Sequence, residues 1–182
     1  MKELSLNILD IAQNSIKAGA SNIHILLNEN EETLIITVRD DGCGMTAEIL
    51  ERVENPFYTT RTTRDVGMGI PLLKLAAEQT GGEVTITSVS ETDDPVNHGT
   101  TISASFFKNH LDFTPLGDIV TTVCTLIHGA PDIDWRYEHI YGDNTVLLDT
   151  KQMREILGDV PLDDIEILNW IRQSLSEEYA AL

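Results

Sequence analysis

Basic residues are scarce in this chain: 12 Lys and Arg stand against 30 Asp and Glu, for a net charge of −18. A surface of that sign repels nucleic acid, and no basic stripe interrupts it. This counts against a role on nucleic acid; the charge commonly serves solubility alone, and a basic protein partner is the sharper reading. Long apolar runs are missing too. None approaches the roughly 18 residues of a membrane helix. The N-terminus lacks the basic start and apolar stretch of a secretion signal, since Glu3, Asn7 and Asp10 interrupt it. A cytoplasmic protein without a membrane partner is expected. Cysteine is limited to Cys43 and Cys124, with no Cys-x-x-Cys spacing, which speaks against a zinc site and a structural disulfide. The five histidines form no ligand cluster, and there is neither an internal repeat nor a low-complexity tract.

Three segments carry chemistry. In the first, Leu4, Ile8, Ile11, Ala12, Ser15 and Ile16 fall on one side of a helix over 3–18. Asp10 and Asn14 are four apart and so neighbour each other on that helix, followed by Lys17. An acid and an amide on one face suit a magnesium–phosphate group, because magnesium takes oxygen ligands and keeps waters and phosphate oxygens. In the second segment, the strand-type run Thr33–Arg39 delivers Asp40-Asp-Gly42-Cys-Gly44-Met45. One carboxylate is thereby set deep in a pocket, and the glycines let backbone approach a flat ligand. In the third, Asn55-Pro-Phe-Tyr-Thr-Thr-Arg61-Thr-Thr-Arg64 runs into Gly67-Met-Gly69-Ile70 and a helical pattern at 68–80. Glycines at a helix start expose backbone amides to a phosphate, and Arg61 and Arg64 reach anionic oxygens. This stretch reads as a phosphate-covering lid.

In this order the segments resemble the GHKL ATPase superfamily of gyrase, Hsp90, histidine kinases and MutL. Asp10-Ile-Ala-Gln-Asn14-Ser-Ile-Lys17 resembles its N box, Asp40-x-Gly42-x-Gly44 its first glycine box, and Gly67-x-Gly69 its second. His98-Gly-Thr100 resembles its closing strand, and Asn55-Pro-Phe is closest to the histidine kinase branch. The resemblance covers residues 3–107. It implies ATP and Mg2+ as cofactors, with Asn14 as the magnesium ligand. Asp40 would accept from the adenine amino group, Gly42, Gly44 and Met45 would shape that pocket, and Thr100 would support it. Lys17, Arg61, Gly67 and Gly69 would face phosphates. Asp10 would take the general-base position, where the hydrolytic branches carry Glu. One methylene less argues for slow hydrolysis, because a misplacement of about 1 Å can cost on the order of a hundredfold in rate.

The expected fold is α+β: a two-layer α/β sandwich of the histidine kinase-like (Bergerat) type over 1–108, with hairpins under helices on one face. A break at 108–114 leads to a small α+β C-terminal unit over 115–182, or an extension packed on the ATPase, with helix at 115–128, strands at 133–141 and 145–148, and helices at 150–157 and 161–178. Only nine residues precede Asp10, so a complete sensor kinase with its own acceptor histidine is not expected, nor are the transducer domains of gyrase, Hsp90 and MutL. The functional expectation is a Mg-ATP-binding regulatory protein acting on a partner protein as a stand-alone protein kinase or slow ATPase. The alternative is a non-catalytic, ATP-gated protein-binding module.

Overall fold

The computed structural model describes residues 3–54 and 68–182. Its elements run α1 (Leu4–Lys17), β1 (Asn22–Glu29), β2 (Thr33–Asp40), α2 (Ala47–Glu54), α3 (Gly69–Gln79), β3 (Val84–Val89), β4 (Gly99–Phe107), α4 (Ile119–Gly129), β5 (Asp134–Tyr141), β6 (Asn144–Asp149), α5 (Thr150–Leu157) and α6 (Ile165–Ala180). The strands form one six-stranded sheet in the order β3-β4-β2-β1-β5-β6. All neighbours are antiparallel except β1 and β5, which run parallel with Asn22 opposite Asp134.

Alternation along the strands divides the sheet's two faces. Ile23, Ile25 and Leu27 of β1, Leu34, Ile36 and Val38 of β2, Ile102, Ala104 and Phe106 of β4, and Trp135 and Tyr137 of β5 are buried under helices. His24, Leu26, Ile35, Arg39 and Arg136 stand on the opposite face, where no helix buries them. On the covered face, α1 packs between α3 and α4, and α4 packs against α6. Leu4, Ile8, Ile11 and Ala12 of α1 enter the same core as Leu73 and Ala77 of α3 and Val123, Leu126 and Ile127 of α4. This is the expected two-layer α+β sandwich.

Two helix starts differ from the periodicity. α4 begins at Ile119 rather than at 115, because Asp118 caps it by accepting from the Thr121 amide at 2.9 Å. The preceding residues are committed elsewhere: the Pro115 and Leu116 carbonyls accept from the amides of Leu4 and Ser5, tying this segment to the start of α1. α6 begins at Ile165, where Asp164 accepts from the Glu166 amide at 2.8 Å. An Asp at the first cap position satisfies an amide that the helix itself cannot, which fixes the start.

Candidate functional site

The end of β2 sets the first half of the site. Asp40 is the strand's last residue, and both its carboxylate oxygens are engaged. Oδ1 accepts from the Gly42 amide at 3.0 Å and the Thr100 amide at 3.2 Å, and Oδ2 accepts from the Ser15 hydroxyl at 2.5 Å. Asp40 and Thr100 face each other in the β2–β4 register, so the sheet itself brings them together. Ser15, one residue past Asn14, draws the C-terminal turn of α1 onto the same carboxylate.

A second shell of contacts fixes the loop after Asp40. The Met45 amide donates to the Ser88 hydroxyl at 2.8 Å. Ser88 Oγ in turn donates to the Gly99 carbonyl at 3.0 Å and lies 2.8 Å from Thr100 Oγ1. The Cys43 amide donates to the Ala18 carbonyl at 2.9 Å, and His98 Nδ1–H donates to the Gly42 carbonyl at 2.6 Å. No side chain fits at the glycines here. A Cβ on Gly42 would sit 2.8 Å from the Ala18 Cβ, and one on Gly44 would sit 1.9 Å from the Val89 carbonyl oxygen. Gly44 also holds φ +64 and Gly99 φ +134, a backbone that L side chains rarely adopt. Sequence reasoning missed Ser15, Ser88 and His98. The first is adjacent to a motif residue, and Ser88 is legible only once its strand is paired opposite Thr100.

The second half lies where α1 meets α3. Gly69 opens α3, and a Cβ there would come within 2.8 Å of the Asp10 Cβ. The helix start is thus pressed against the acid of α1. Met68, its cap, supplies no side-chain hydrogen bond, so among the described residues the amides of Gly69 and Ile70 are left for an anion beside Asp10. Asn14 is partly exposed on the same face of α1, with its amide unpaired among the described residues. Lys17 is exposed in the last turn and lines a small cleft with Leu9, Gln13 and Leu126, on the α4 side of α1. Arg61 and Gly67, and the lid as a whole, lie outside the described residues.

Beside the pocket, Asp41 caps the start of β1 by accepting from the Ser21 and Asn22 amides at 2.7 and 2.8 Å. Burial pushes its carboxyl up, but the hydrogen bonds from Asn22 and Ser21 outweigh that and hold it below the usual range. It is a strand cap rather than a second acid for chemistry. Among the described residues no three His, Cys, Asp or Glu side chains cluster to hold a metal. Magnesium here would therefore rest on Asn14 and on phosphate and water oxygens, which is a donor set the ion accepts.

A surface depression of about 620 Å³ opens on the other face of the same strands, around His24, Arg39, Thr87, Thr101 and Arg136, and its lining reaches Asp40, Ser88 and Thr100 at the end of the sheet. Within it Arg136 pairs with Glu138 at 3.3 Å and Asp149 at 3.2 Å. Burial, with Arg136 and Arg39 nearby, holds the His24 imidazole below its usual range against the pull of Glu138. Asp10, Asn14 and Gly69 are all on the helical layer, and the site is assigned there.

Residues 2–110 match the family model of histidine kinase-, DNA gyrase B- and HSP90-like ATPases. The chain belongs to that family, and it carries an ATP-binding ATPase domain of the histidine kinase type. It is 30% identical over 83 residues to the sensor histidine kinase CitA of Klebsiella pneumoniae, a match covering 44% of this chain and 15% of that protein. It is 30% identical over 88 residues to sporulation kinase E of Bacillus subtilis, covering 48% and 12%. The chain thus spans well under a quarter of the length of these relatives. Among solved structures, the ADP-complexed MutL ATPase domain of Aquifex aeolicus superposes with a TM-score of 0.54 at 12% identity, over 86% of this chain and 69% of that one. The N-terminal domain of a DNA repair protein gives a TM-score of 0.57 at 18% identity, over 87% and 58%. At those identities the likeness is one of fold.

Proposed function

We propose that the protein binds Mg-ATP between α1, α3 and the Asp40–Thr100 end of the sheet, and regulates a partner protein as a stand-alone kinase or slow ATPase. The observation that carries this is the Asp40 carboxylate, fixed by two backbone amides and Ser15 at the base of a glycine-shaped loop. Held in that way, it cannot turn from a ligand and can accept from the 6-amino group of adenine, where guanine presents a carbonyl oxygen instead. Thr100 and Ser88 steady the same end. The magnesium supplies charge neutralisation at the phosphates when bound. Asn14 would ligate it, Gly69 and the start of α3 would offer amides to phosphate oxygens, Arg61 and Gly67 would complete that end, and Asp10 would orient the attacking oxygen, while Lys17, on the α4 side of α1, is left out of it.

Calorimetric titration with Mg-ATP tests the pocket. Asp40→Asn is expected to lose about 1–3 kcal/mol of binding, because an amide in that cradle places a donor where acceptors are needed. Unchanged affinity would overturn the assignment.

The second reading, a non-catalytic ATP-gated binding module, is favoured by one feature: the base position holds Asp10, whose carboxylate is a methylene short. Radiolabelled ATP in a cell extract separates the two. Label on a partner chain supports the kinase, and capture of the partner by the ATP-loaded protein without label supports the module. The acidic surface favours a basic protein partner over nucleic acid. No helix among the described residues is long and apolar enough to cross a membrane, and a cytoplasmic, membrane-free setting is part of the proposal.

A further inference from the structure

Asn7 is fully buried, and neither its side-chain oxygen nor its nitrogen has a hydrogen-bond partner among the described residues. Its helical neighbours Leu4, Ile8 and Ile11 are buried and apolar. Leucine at this position would extend their row and leave no polar atom unpaired. Buried amides are otherwise hydrogen-bonded as a rule, to protein or to ordered water, so an orphaned pair of atoms calls for a partner that a buried water can supply. The position says what it serves. Asn7, Asp10 and Asn14 are spaced i, i+3 and i+7, so they form one stripe along α1. The stripe lies on the side where Gly69 presses on Asp10. Residues three apart on a helix have Cβ atoms about 5–6 Å apart; here the Asn7 amide makes no direct bond to Asp10, and one water can bridge such a pair. A buried water commonly has about three polar partners, and the Asn7 oxygen and nitrogen with the Asp10 carboxylate supply three.

We propose that Asn7 is a positioning residue: it holds an internal water against the Asp10 carboxylate and so aims that carboxylate into the nucleotide site. The role in turnover rests on the proposed ATPase reading, while the link between Asn7 and Asp10 does not. A water held from below also gives the short Asp10 side chain a fixed orientation that its own length does not provide.

A double-mutant cycle with Asn7→Leu and Asp10→Ala, read by urea unfolding of the ligand-free chain, tests the link. If the two residues share a water, Asn7→Leu raises the folding constant more in the Asp10→Ala background than in the parent, by about twofold or more beyond additivity. Additive effects overturn the proposal. Should Asn7→Leu fail to fold, Asn7→Ser serves: its hydroxyl keeps the water, and it should retain the coupling to Asp10 that Asn7→Ala loses. Equal coupling in Ser and Ala variants again overturns it. Phosphate release then reads the role in turnover. Asn7→Leu should lower kcat on the order of tenfold with Mg-ATP affinity held within about twofold, and should have no further effect once Asp10 is Ala. Equal losses in both backgrounds would make Asn7 merely structural. Coupling without any ATP binding would sink the proposed function and leave the Asn7–Asp10 link standing.

Discussion

Gly44 shows how little freedom the loop after Asp40 has. Its φ is +64, and a methyl group would lie 1.9 Å from the Val89 carbonyl oxygen. The obstacle is backbone at the end of β3, which cannot swing aside as a side chain would. Gly44→Ala should therefore destabilise the fold by about 1–3 kcal/mol, seen as a lower urea midpoint, and weaken ATP binding by separating Met45 from Ser88. Asn14 makes the opposite case. Its amide is committed to nothing among the described residues, so Asn14→Ala should leave stability within about 0.5 kcal/mol of the parent. If Asn14 is the metal ligand, the substitution weakens ATP binding more in magnesium than in EDTA. Equal losses in both buffers would show a contact to the nucleotide itself. Asp40, Gly42, Gly44 and Thr100 were legible in the sequence because each sits in a short motif whose chemistry is local. Ser15, Ser88, His98 and Asn7 were not. A serine reads as ordinary until the strand register or the helix face that aims it is known.

Among the elements, α6 is fastened by a buried polar chain. Lys108 Nζ lies 2.6 Å from Glu29 Oε1, Glu29 Oε2 lies 2.9 Å from His139 Nε2, and His139 Nδ1 lies 2.7 Å from the Tyr179 hydroxyl, which is itself bonded to that of Tyr137. Residues from β1, the end of β4, β5 and α6 thus meet at one point. Burial raises the Glu29 carboxyl, but hydrogen bonds from His139 and Lys108 outweigh it and hold the group below 4.5, its ordinary value. A lowered carboxylate contributes stability that is present above its unfolded-state value and lost as pH falls through the folded one. Burial also pushes Tyr179 up to about 12, so its contribution holds below pH 10 and fades as pH rises toward 12. Glu29→Gln should cost about 1–3 kcal/mol at pH 7 and flatten the acid limb of the stability curve, measured by urea unfolding between pH 3 and 7. An unchanged acid limb would mean that another carboxylate governs it. The strands that carry this chain were visible as alternating runs; their meeting was not. Hairpins announce themselves by short turns, as Gly142-Asp-Asn144 does between β5 and β6. A parallel pair such as β1 and β5 has no local signature, since its partners are joined by a long crossover.

At the scale of the whole molecule, the family match ends at residue 110, yet the sheet does not end there. β5 lies against β1 along its full length, from Asn22–Asp134 to Glu29–Tyr141. A chain stopped at 110 should therefore expose the backbone amides and carbonyls of β1, a strand rich in Ile and Leu, and should self-associate or precipitate where the full chain does not. Sedimentation of the two lengths side by side checks this, and a monodisperse 1–110 would show that β1 tolerates being an edge.

The same pairing sets an order of events during synthesis. β1 leaves the ribosome well before β5, the strand that closes its far side. Between those moments the N-terminal half waits with one side of β1 unclosed. A new chain made alongside another copy carries the matching β5, so two neighbours on one message can exchange these strands before either closes on itself. Slow translation after residue 110, or crowding of ribosomes on one transcript, should raise the yield of such swapped pairs, and the polar latch around His139 would then lock them in place.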